Sequence, residues 1–246
     1  MTWIENAFGT TAAGNAININ NNVLSGDYLT ATTGVCYGIY HNAAYPATVN
    51  IQGNAINGIN YSSASLTGTG ALYPIYLTGS TTAYTANVQN NTVSNVTRTG
   101  TTGGTTIGIF VSSSVTGLNV NVTGNTVSNM SIDGTGATST MYGIQASTGT
   151  INISNNTVSN LQCLKTSGTS ALYGIYEITS PVNETYNNNT VHTLLHNGTG
   201  IVYGLYANSV AGTQQCVREP HSQPVHRWHH YSGDQPGRKF ADGKQQ

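Results

Sequence analysis

The sequence predicts an all-β protein, a right-handed parallel β-helix (solenoid) of about six coils, with three short strands per coil and an asparagine ladder at one corner. Three observations support this prediction. A short aromatic block recurs every 30 to 36 residues, an asparagine-rich motif recurs at a similar interval, and only 6% of the 246 residues are charged. Such a period is typical of repeat proteins in which each unit packs on its neighbours.

The aromatic block has the pattern aromatic–Gly–Ile–aromatic, with substitutions in single copies. Its aromatic and β-branched residues favour a strand, and no apolar pattern of helical period competes with it. The six copies are Tyr37–Tyr40, Tyr73–Tyr76, Ile107–Phe110, Tyr142–Gln145, Tyr173–Tyr176 and Tyr203–Tyr206.

The second motif reads Asn–(Val/Ile)–x–(Gly/Asn)–Asn–x–(Val/Ile). A sharp corner needs a residue with positive φ, which glycine and asparagine adopt at the least cost, so the Gly-Asn or Asn-Asn pair predicts a corner between the second and third strands. Stacked coils then bring the second asparagine of each pair into one column, where each side-chain amide donates to the next side-chain carbonyl. The predicted ladder consists of Asn22, Asn54, Asn91, Asn125, Asn156 and Asn189.

Each unit is predicted to contain three strands. In one unit they cover residues 107–112, 118–123 and 126–130, and a Ser/Thr/Gly-rich loop follows over residues 131–140. Strands this short bury a face only by stacking, so successive coils are expected to pair their backbones at a spacing of about 4.8 Å. The β-helix domain is predicted to span residues 1–213, as a fragment of a longer array with neighbouring coils.

Strand alternation predicts which aromatic side chains point outward. It places Tyr37 and Ile39 on one face, and Gly38 and Tyr40 on the other. With Ile39 in the core, an outward aromatic column results, broken at Gln145. Two roles remain open for this column: ring stacking that stabilises neighbouring coils, or contact with the apolar face of a sugar ring. The candidate ligand-binding residues are Tyr40, Tyr76, Phe110, Tyr176 and Tyr206.

The scarcity of charge bears on partners and chemistry. The formal net charge is −1, so nucleic acid and anionic membranes are not expected as partners, and no apolar run has the length of a membrane span. We expect the few charged side chains of the repeat to be solvated loop residues in different sectors of the coil, and we predict no catalytic residue, metal site or cofactor. These residues are Glu5, Asp27, Arg98, Asp133, Lys165, Glu177 and Glu184.

A family resemblance follows from these motifs. The asparagine corner, the Asn-Thr-Val-Ser-Asn strand and the three-strand coil resemble the parallel β-helix repeats of the pectin-lyase-like superfamily over residues 15–213. The charge-poor, Asn/Thr/Gly-rich composition resembles repetitive secreted or surface proteins of Bacteroidetes-type bacteria. The resemblance implies a fold rather than an activity, because this fold carries lyases, hydrolases, adhesins and inert stalks.

The regular repeat and the low charge favour a non-catalytic segment of a secreted or cell-surface protein: a stalk, an adhesin or a scaffold that contacts a polysaccharide or a cell-surface glycan. The alternative is a fragment of a pectin-lyase-like polysaccharide lyase or glycoside hydrolase whose catalytic coils lie outside this chain, since such enzymes need clustered carboxylates and bases. A third hypothesis, an ice-binding solenoid, needs flat Thr-x-Thr rows, whereas Thr-Val-Ser occurs in only some coils.

The two ends of the chain differ from the repeat. Residues 1–14 lack the basic start and apolar stretch of a secretion signal. Residues 214–246 carry five of the seven Lys/Arg and four of the seven His. One hypothesis for this tail is metal binding, because clustered imidazoles bind zinc or copper. The four tail histidines are His221, His226, His229 and His230.

A second hypothesis is a reading-frame error in the tail. Codons shifted forward by one nucleotide from Gln215 permit Asn-Val-Tyr-Glu-Asn-Arg-Ile, which matches the repeat at 121–127 in its asparagine and aliphatic positions. On this hypothesis residues 214–246 are non-native and disordered. The cysteines Cys36, Cys163 and Cys216 form no spaced pair and are predicted to be unpaired.

Overall fold

The structure, a computed structural model, describes residues 1–7, 15–29, 34–42, 47–63, 70–79, 83–100, 103–112, 117–134, 138–147, 149–166, 169–177, 183–207 and 213–216. These residues form three parallel sheets, whose strands are numbered along the chain. Sheet A contains β1 (Thr2–Asn6), β4 (Cys36–His41), β7 (Leu72–Leu77), β10 (Gly104–Val111), β13 (Ser139–Ala146), β16 (Ser170–Glu177) and β19 (Ile201–Tyr206).

The other two sheets alternate with sheet A along the chain. Sheet B contains β2 (Ala16–Asn20), β5 (Thr48–Gln52), β8 (Thr85–Gln89), β11 (Asn119–Thr123), β14 (Thr150–Ser154), β17 (Asn183–Asn187) and β20 (Thr213–Cys216). Sheet C contains β3 (Val23–Tyr28), β6 (Ala55–Ser63), β9 (Thr92–Gly100), β12 (Thr126–Asp133), β15 (Thr157–Cys163) and β18 (Thr190–His196).

Each coil contributes one strand to each sheet, so every strand pairs with the strand three places along the chain. The predicted all-β solenoid with three strands per coil is therefore confirmed. The predicted loop over residues 131–140 is too long, because β12 continues to Asp133 and β13 already begins at Ser139. Among the residues that the structure describes, no helix is long and apolar enough to cross a membrane.

The core is built from columns of like residues at equivalent positions of successive coils. In sheet B, in-register pairing aligns one inward aliphatic residue per coil, and each of them is buried. Burying a Val or Ile side chain contributes roughly 1.5–3 kcal/mol, so the column stabilises the stack at every level. Its members are Ile19, Ile51, Val88, Val122 and Ile153.

The corner between sheets B and C has the predicted backbone. The first residue of every Gly-Asn or Asn-Asn pair has positive φ, between 54° and 68°. Only the left-handed region turns the chain this sharply without a longer loop, and these residue types tolerate it best. The six residues are Asn21, Gly53, Asn90, Gly124, Asn155 and Asn188.

The second residue of each pair forms the predicted asparagine ladder. From Asn22 to Asn189, each side-chain Nδ2 donates to Oδ1 of the next asparagine at 2.9–3.0 Å. The same Oδ1 also accepts the backbone N–H of the preceding asparagine, at 2.9–3.1 Å. From Asn54 onward, the second Nδ2 hydrogen reaches a backbone carbonyl of the previous coil at 2.7–2.8 Å. From Asn54 to Asn156 the buried amides are thus fully paired along the axis.

The end of the described chain adds one strand to this array. β20 pairs in parallel with β17 and extends across the predicted domain boundary at residue 213. Residues 217–246, and with them the predictions of a frame-shifted or metal-binding tail, lie outside the described residues. Cys36 and Cys163 are buried and free, as predicted.

We predict that Asn125→Ala lowers the free energy of unfolding by roughly 3 kcal/mol or more. The substitution removes the acceptor of Asn91 and the donors to Val88 O and Asn156 Oδ1, and each buried polar group left unpaired costs about 1–3 kcal/mol. Urea unfolding measures the loss. The matched control is Asn121→Ala on the outer face of β11, where water replaces the lost bond and the expected loss is under about 1 kcal/mol. Equal losses in the two variants would contradict the prediction that the inner ladder contributes more to the free energy of unfolding than the outer asparagines do.

Candidate functional site

The outer face of sheet A carries two aromatic columns instead of the predicted single one. Tyr37 and Tyr40 both lie on the outside, with their ring centroids 4.4 Å apart and their planes 15° apart. The predicted alternation, with Tyr37 beside Ile39 on one face and Gly38 beside Tyr40 on the other, is therefore wrong. Gly38 and Ile39 are both buried, and the two tyrosines flank them on the outer surface.

The glycine of the block explains this local kink. The regular pairing of β10 with β13 passes from Ile107 directly to Ile109 and skips Gly108. A Cβ at Gly108 would lie 2.7 Å from Val127 Cγ1 and 3.1 Å from Met130 Sδ, so this position faces the core. Two successive inward positions, glycine and then isoleucine, leave both flanking residues of the block on the outside. Glycine fits there because it has no side chain to place.

The two columns form what we call the aromatic ladder. The predicted candidate residues all belong to its second column, whereas the first column was not predicted. The signal that predicts the first column is the glycine at the second position of five of the six blocks. The first column contains Tyr37, Tyr73, Ile107, Tyr142, Tyr173 and Tyr203, and the second contains Tyr40, Tyr76, Phe110, Gln145, Tyr176 and Tyr206.

Most neighbouring rings within a column are stacked face to face. Tyr76 and Phe110 lie 4.9 Å apart at 5°, and Tyr142 and Tyr173 lie 4.9 Å apart at 11°. Such pairs contribute about 0.5–1.5 kcal/mol each beyond the area that they bury. Because each stacked ring covers the face of its neighbour, the ladder presents ring edges and phenol hydroxyls to solvent. It is therefore not a flat platform along its length.

The ladder divides into two blocks of five rings. Ring contacts join the first five rings to one another and the last five to one another, and among the described residues none joins the two blocks. The break lies where Ile107 and Gln145 replace aromatic residues, and both are buried, with exposures of 2% and 3%. The Oε1 atom of Gln145 has no hydrogen-bond partner.

The phenol groups of Tyr73, Tyr142 and Tyr173 stay protonated at neutral pH. Burial, followed by the neighbouring phenols, raises the pKa of Tyr73 and of Tyr173 to about 12. The same causes raise the pKa of Tyr142. Neutral phenols both donate and accept hydrogen bonds. From β4 to β19 the outer face of sheet A is uncharged and carries phenol hydroxyls, whereas β1 carries the exposed Glu5.

The outer face of sheet B carries a second asparagine ladder that was not predicted. Its members are the first asparagines of the motif, and the Nδ2 of Asn50, Asn87 and Asn121 each donates to Oδ1 of the preceding coil's asparagine at 2.8–2.9 Å. The amide of Gln52 donates to Gln89 in the next column at 2.8 Å. Side chains that bond to one another in this way give an ordered, uncharged amide surface.

Four of the charged residues that were expected in solvated loops are buried instead. They are Arg98, Lys165, Glu177 and Glu184, whereas Asp133 is exposed as expected. The expectation fails for the two cations because the turns that lead into sheet A bury polar groups that need donors. Arg98 donates to the backbone carbonyls of Gly70 and Gly103 at 3.1 and 3.2 Å, and Lys165 donates to Ser139 Oγ at 3.0 Å. Burial lowers the pKa of both cations.

Glu184 and His41 replace aliphatic residues in inward columns. Glu184 is aligned with Ile151, and neither of its carboxylate oxygens has a partner. His41 is aligned with Leu77, and both ring nitrogens are unpartnered. These side chains face the interior and are closed off from solvent. Among the described residues, no group of three or more His, Cys, Asp or Glu side chains is placed to hold a metal ion.

Comparison with known proteins gave no match: no protein-family model, curated protein or solved structure corresponds to this chain.

We predict that His41→Leu removes part of the acid sensitivity of the fold. Burial lowers the pKa of His41 from 6.5 to about 4. Between these values the unfolded chain binds a proton that the folded chain does not, so stability is full above pH 6.5 and falls as the pH drops toward 4, by roughly 3 kcal/mol. Urea unfolding at pH 7 and pH 4.5 should show a smaller loss in the variant than in the wild type. An identical loss would show that His41 is not the group responsible.

We predict that Gly108→Ala destabilises the protein by about 1–3 kcal/mol, because the added methyl group overpacks against Val127 and the backbone of Gly143. Near-ultraviolet circular dichroism should change with it, since the kink sets the stacking of the tyrosine rings. Gly34→Ala is the control, because a Cβ at Gly34 meets nothing within 4 Å. A stable Gly108→Ala variant with an unchanged spectrum would refute the role of this glycine.

Proposed function

We propose that the chain is a non-catalytic scaffold segment of a secreted or cell-surface protein, a stalk or adhesin, and that its aromatic ladder contacts a polysaccharide or a cell-surface glycan. The observation that carries the proposal is the ladder itself. Ten aromatic rings stand in two columns on the outer face of one sheet, each partly exposed and held by its neighbours.

Rigidity supports the scaffold role. Parallel pairing fixes the three sheets, and the inner and outer asparagine ladders run along the same axis. A rod of this kind keeps its surface groups at a spacing of about 4.8 Å along the axis without any loop having to order on binding. A ligand therefore meets a surface that is already organised, which reduces the entropic cost of association.

The chemistry of the ladder suits a neutral, hydroxyl-rich ligand. Phenol hydroxyls offer donors and acceptors, and ring edges offer apolar contact, the same two properties that a saccharide presents. The outward side chains of β10, β13 and β16 carry no charge; the one charged residue of these strands, Glu177, is buried. Glu5 is an exposed acid near Tyr37 and Tyr40 at the first coil.

The positions of the ionisable residues favour a scaffold over an enzyme. Arg98 donates to the carbonyl of Gly70 and Lys165 to the hydroxyl of Ser139, each in the preceding coil, and Glu184 and His41 lie in the core at opposite ends of the described array. A lyase or hydrolase needs such groups together at a substrate groove. In the alternative function, the chain is a fragment of a polysaccharide lyase or glycoside hydrolase, and the catalytic coils of that enzyme lie outside this chain.

The family assignment belongs to the same proposal. A right-handed, pectin-lyase-like β-helix is supported by the three-sheet parallel coil and by the asparagine ladder at one corner. The Bacteroidetes-type origin rests on the charge-poor, Asn/Thr/Gly-rich composition. Export to the cell surface is supported by the rigid, weakly charged exterior, since such repeat rods suit an extracellular stalk.

We predict that the double variant Tyr76→Ala/Tyr176→Ala loses at least about tenfold in glycan affinity, because each block of the ladder loses one stacked ring. A glycan array identifies ligands of the wild type, and titration of the best ligand compares the variants. Thr85→Ala/Thr150→Ala, on the outer face of sheet B, is the matched control and should bind as the wild type does. Thermal unfolding verifies that each variant is folded. A wild type that binds no glycan, or a double variant that binds normally, would remove the glycan role.

A further inference from the structure

We infer that the Asn57–Gly58 pair, on the outer face of sheet C, is a site of spontaneous deamidation, where the side-chain amide of Asn57 is converted to a carboxylate. This inference is independent of the proposed glycan-binding function. Three observations carry it. Both residues are exposed, two hydrogen-bond donors reach the amide carbonyl of Asn57, and nothing lies within 4 Å of the place that a Cβ of Gly58 would take.

The pair lies at an irregular point of β6. The pairing with β9 aligns Asn57 with Ser94 and resumes at Asn60, and the pairing with β3 also leaves out Gly58. Gly58 has a φ of 76° and so belongs to a bulge that recurs in later coils. There, a serine precedes an asparagine of positive φ, and the residue that follows is bulky instead of glycine. These equivalent pairs are Ser94–Asn95, Ser128–Asn129 and Ser159–Asn160.

The reaction begins when the backbone nitrogen of Gly58 attacks Cγ of Asn57. The nitrogen loses its proton, a C–N bond forms, and Nδ2 leaves as ammonia, which gives a cyclic imide. Water then adds to either carbonyl of the imide and opens the ring to aspartate or isoaspartate. Glycine favours the first step because it has no side chain to hinder the attacking nitrogen. The sum of both steps is the hydrolysis of one amide, and water is the only co-reactant.

Two side chains of the next coil stabilise the charge that develops during the attack. Oδ1 of Asn57 accepts hydrogen bonds from Oγ of Ser94 at 3.1 Å and from Nδ2 of Asn95 at 2.7 Å. Donors placed on a carbonyl oxygen stabilise the oxyanion that forms when its carbon is attacked. The same donors suit the product, because a carboxylate oxygen accepts hydrogen bonds as the amide oxygen does.

The chain contains a second asparagine–glycine pair, Asn197–Gly198, whose surroundings differ. The backbone nitrogen of Gly198 donates to Nδ1 of His196 at 3.1 Å, so the atom that would attack is already engaged. A Cβ at Gly198 would lie 2.9 Å from the carbonyl oxygen of Lys165, so this backbone is covered on one side. The folded structure therefore favours reaction at Asn57, although the two dipeptides are identical.

Deamidation changes the charge and, in one product, the backbone. It adds one negative charge to a chain whose formal net charge is −1. Isoaspartate also inserts a CH2 group into the backbone at the bulge, directly before Gly58 and the buried Ile59. The charge-poor rod thus acquires a charge that depends on its age.

The test compares the two pairs in the folded protein and in protein unfolded by guanidinium, at mildly alkaline pH, where the attacking nitrogen loses its proton more readily. Mass spectrometry of proteolytic peptides measures deamidation at each asparagine, and heavy-oxygen water marks the hydrolysis step. In the folded protein we expect Asn57 to react at least about tenfold faster than Asn197, because donors activate only the first carbonyl and a hydrogen bond holds the nitrogen of Gly198. In the unfolded chain the two rates should be similar.

Variants separate the contacts from the dipeptide. Ser94→Ala and Asn95→Gly each remove one donor, and glycine keeps the positive φ at position 95, so each should slow the reaction at Asn57 by at least about threefold. Ser159→Ala, at the equivalent position two coils beyond Ser94, is the matched control and should react as the wild type does. Thermal unfolding verifies that each variant is folded.

Three results would overturn the inference. The first is an equal rate at Asn57 and Asn197 in the folded protein. The second is an unreactive Asn57 in the folded protein under conditions in which the unfolded chain reacts. The third is an unchanged rate in both donor variants, because the contacts to Oδ1 would then not activate the amide.

Discussion

The in-register stacking of identical positions is the constraint on which the rest of the structure depends. Once each coil pairs with the next, a residue meets its own counterpart at every level, and a side chain is stable there only if it bonds or packs well with a copy of itself. Asparagine meets this condition through its amide, which is both donor and acceptor, and tyrosine meets it by ring stacking. Lys, Arg, Asp and Glu fail it, because like charges would meet along the axis. The charge-poor composition is a consequence of this rule.

The sequence predicts the features that follow from self-pairing, and it misses those that depend on local backbone geometry. The six regularly spaced Asn-Asn and Gly-Asn pairs were sufficient to predict the corner and the asparagine ladder that contains Asn54. The kink at Gly38 was not predicted, because strict alternation allows no second inward residue in succession. β1 was also missed, since Thr2–Asn6 lacks the aromatic block although Ile4 pairs in register with Ile39.

The buried cations show a second limit of sequence-based prediction. Charged residues are usually exposed, and this rule assigned Arg98 and Lys165 to solvated loops. The turns entering sheet A, however, carry polar groups that accept hydrogen bonds from side chains, and the donor residue differs from coil to coil. Tyr61 donates to the carbonyl of Gly34, Arg98 to that of Gly70, and Lys165 to the hydroxyl of Ser139. A role filled by three different residue types leaves no repeat signal in the sequence.

Departures from the repeat can therefore be sorted by what they contact. Arg98 departs from its column and finds carbonyl acceptors, so its presence is explained by the fold. Glu184 and His41 depart without finding partners, but they face the closed interior, where no ligand reaches them. Gln145 differs from both cases, because it replaces an aromatic ring on the outer face of sheet A and leaves its amide oxygen unpartnered. At this level the ring of Tyr142 contacts the ring of Tyr176 at 5.0 Å and Gln145 is only 3% exposed, so the ladder stays closed where its second column lacks a ring.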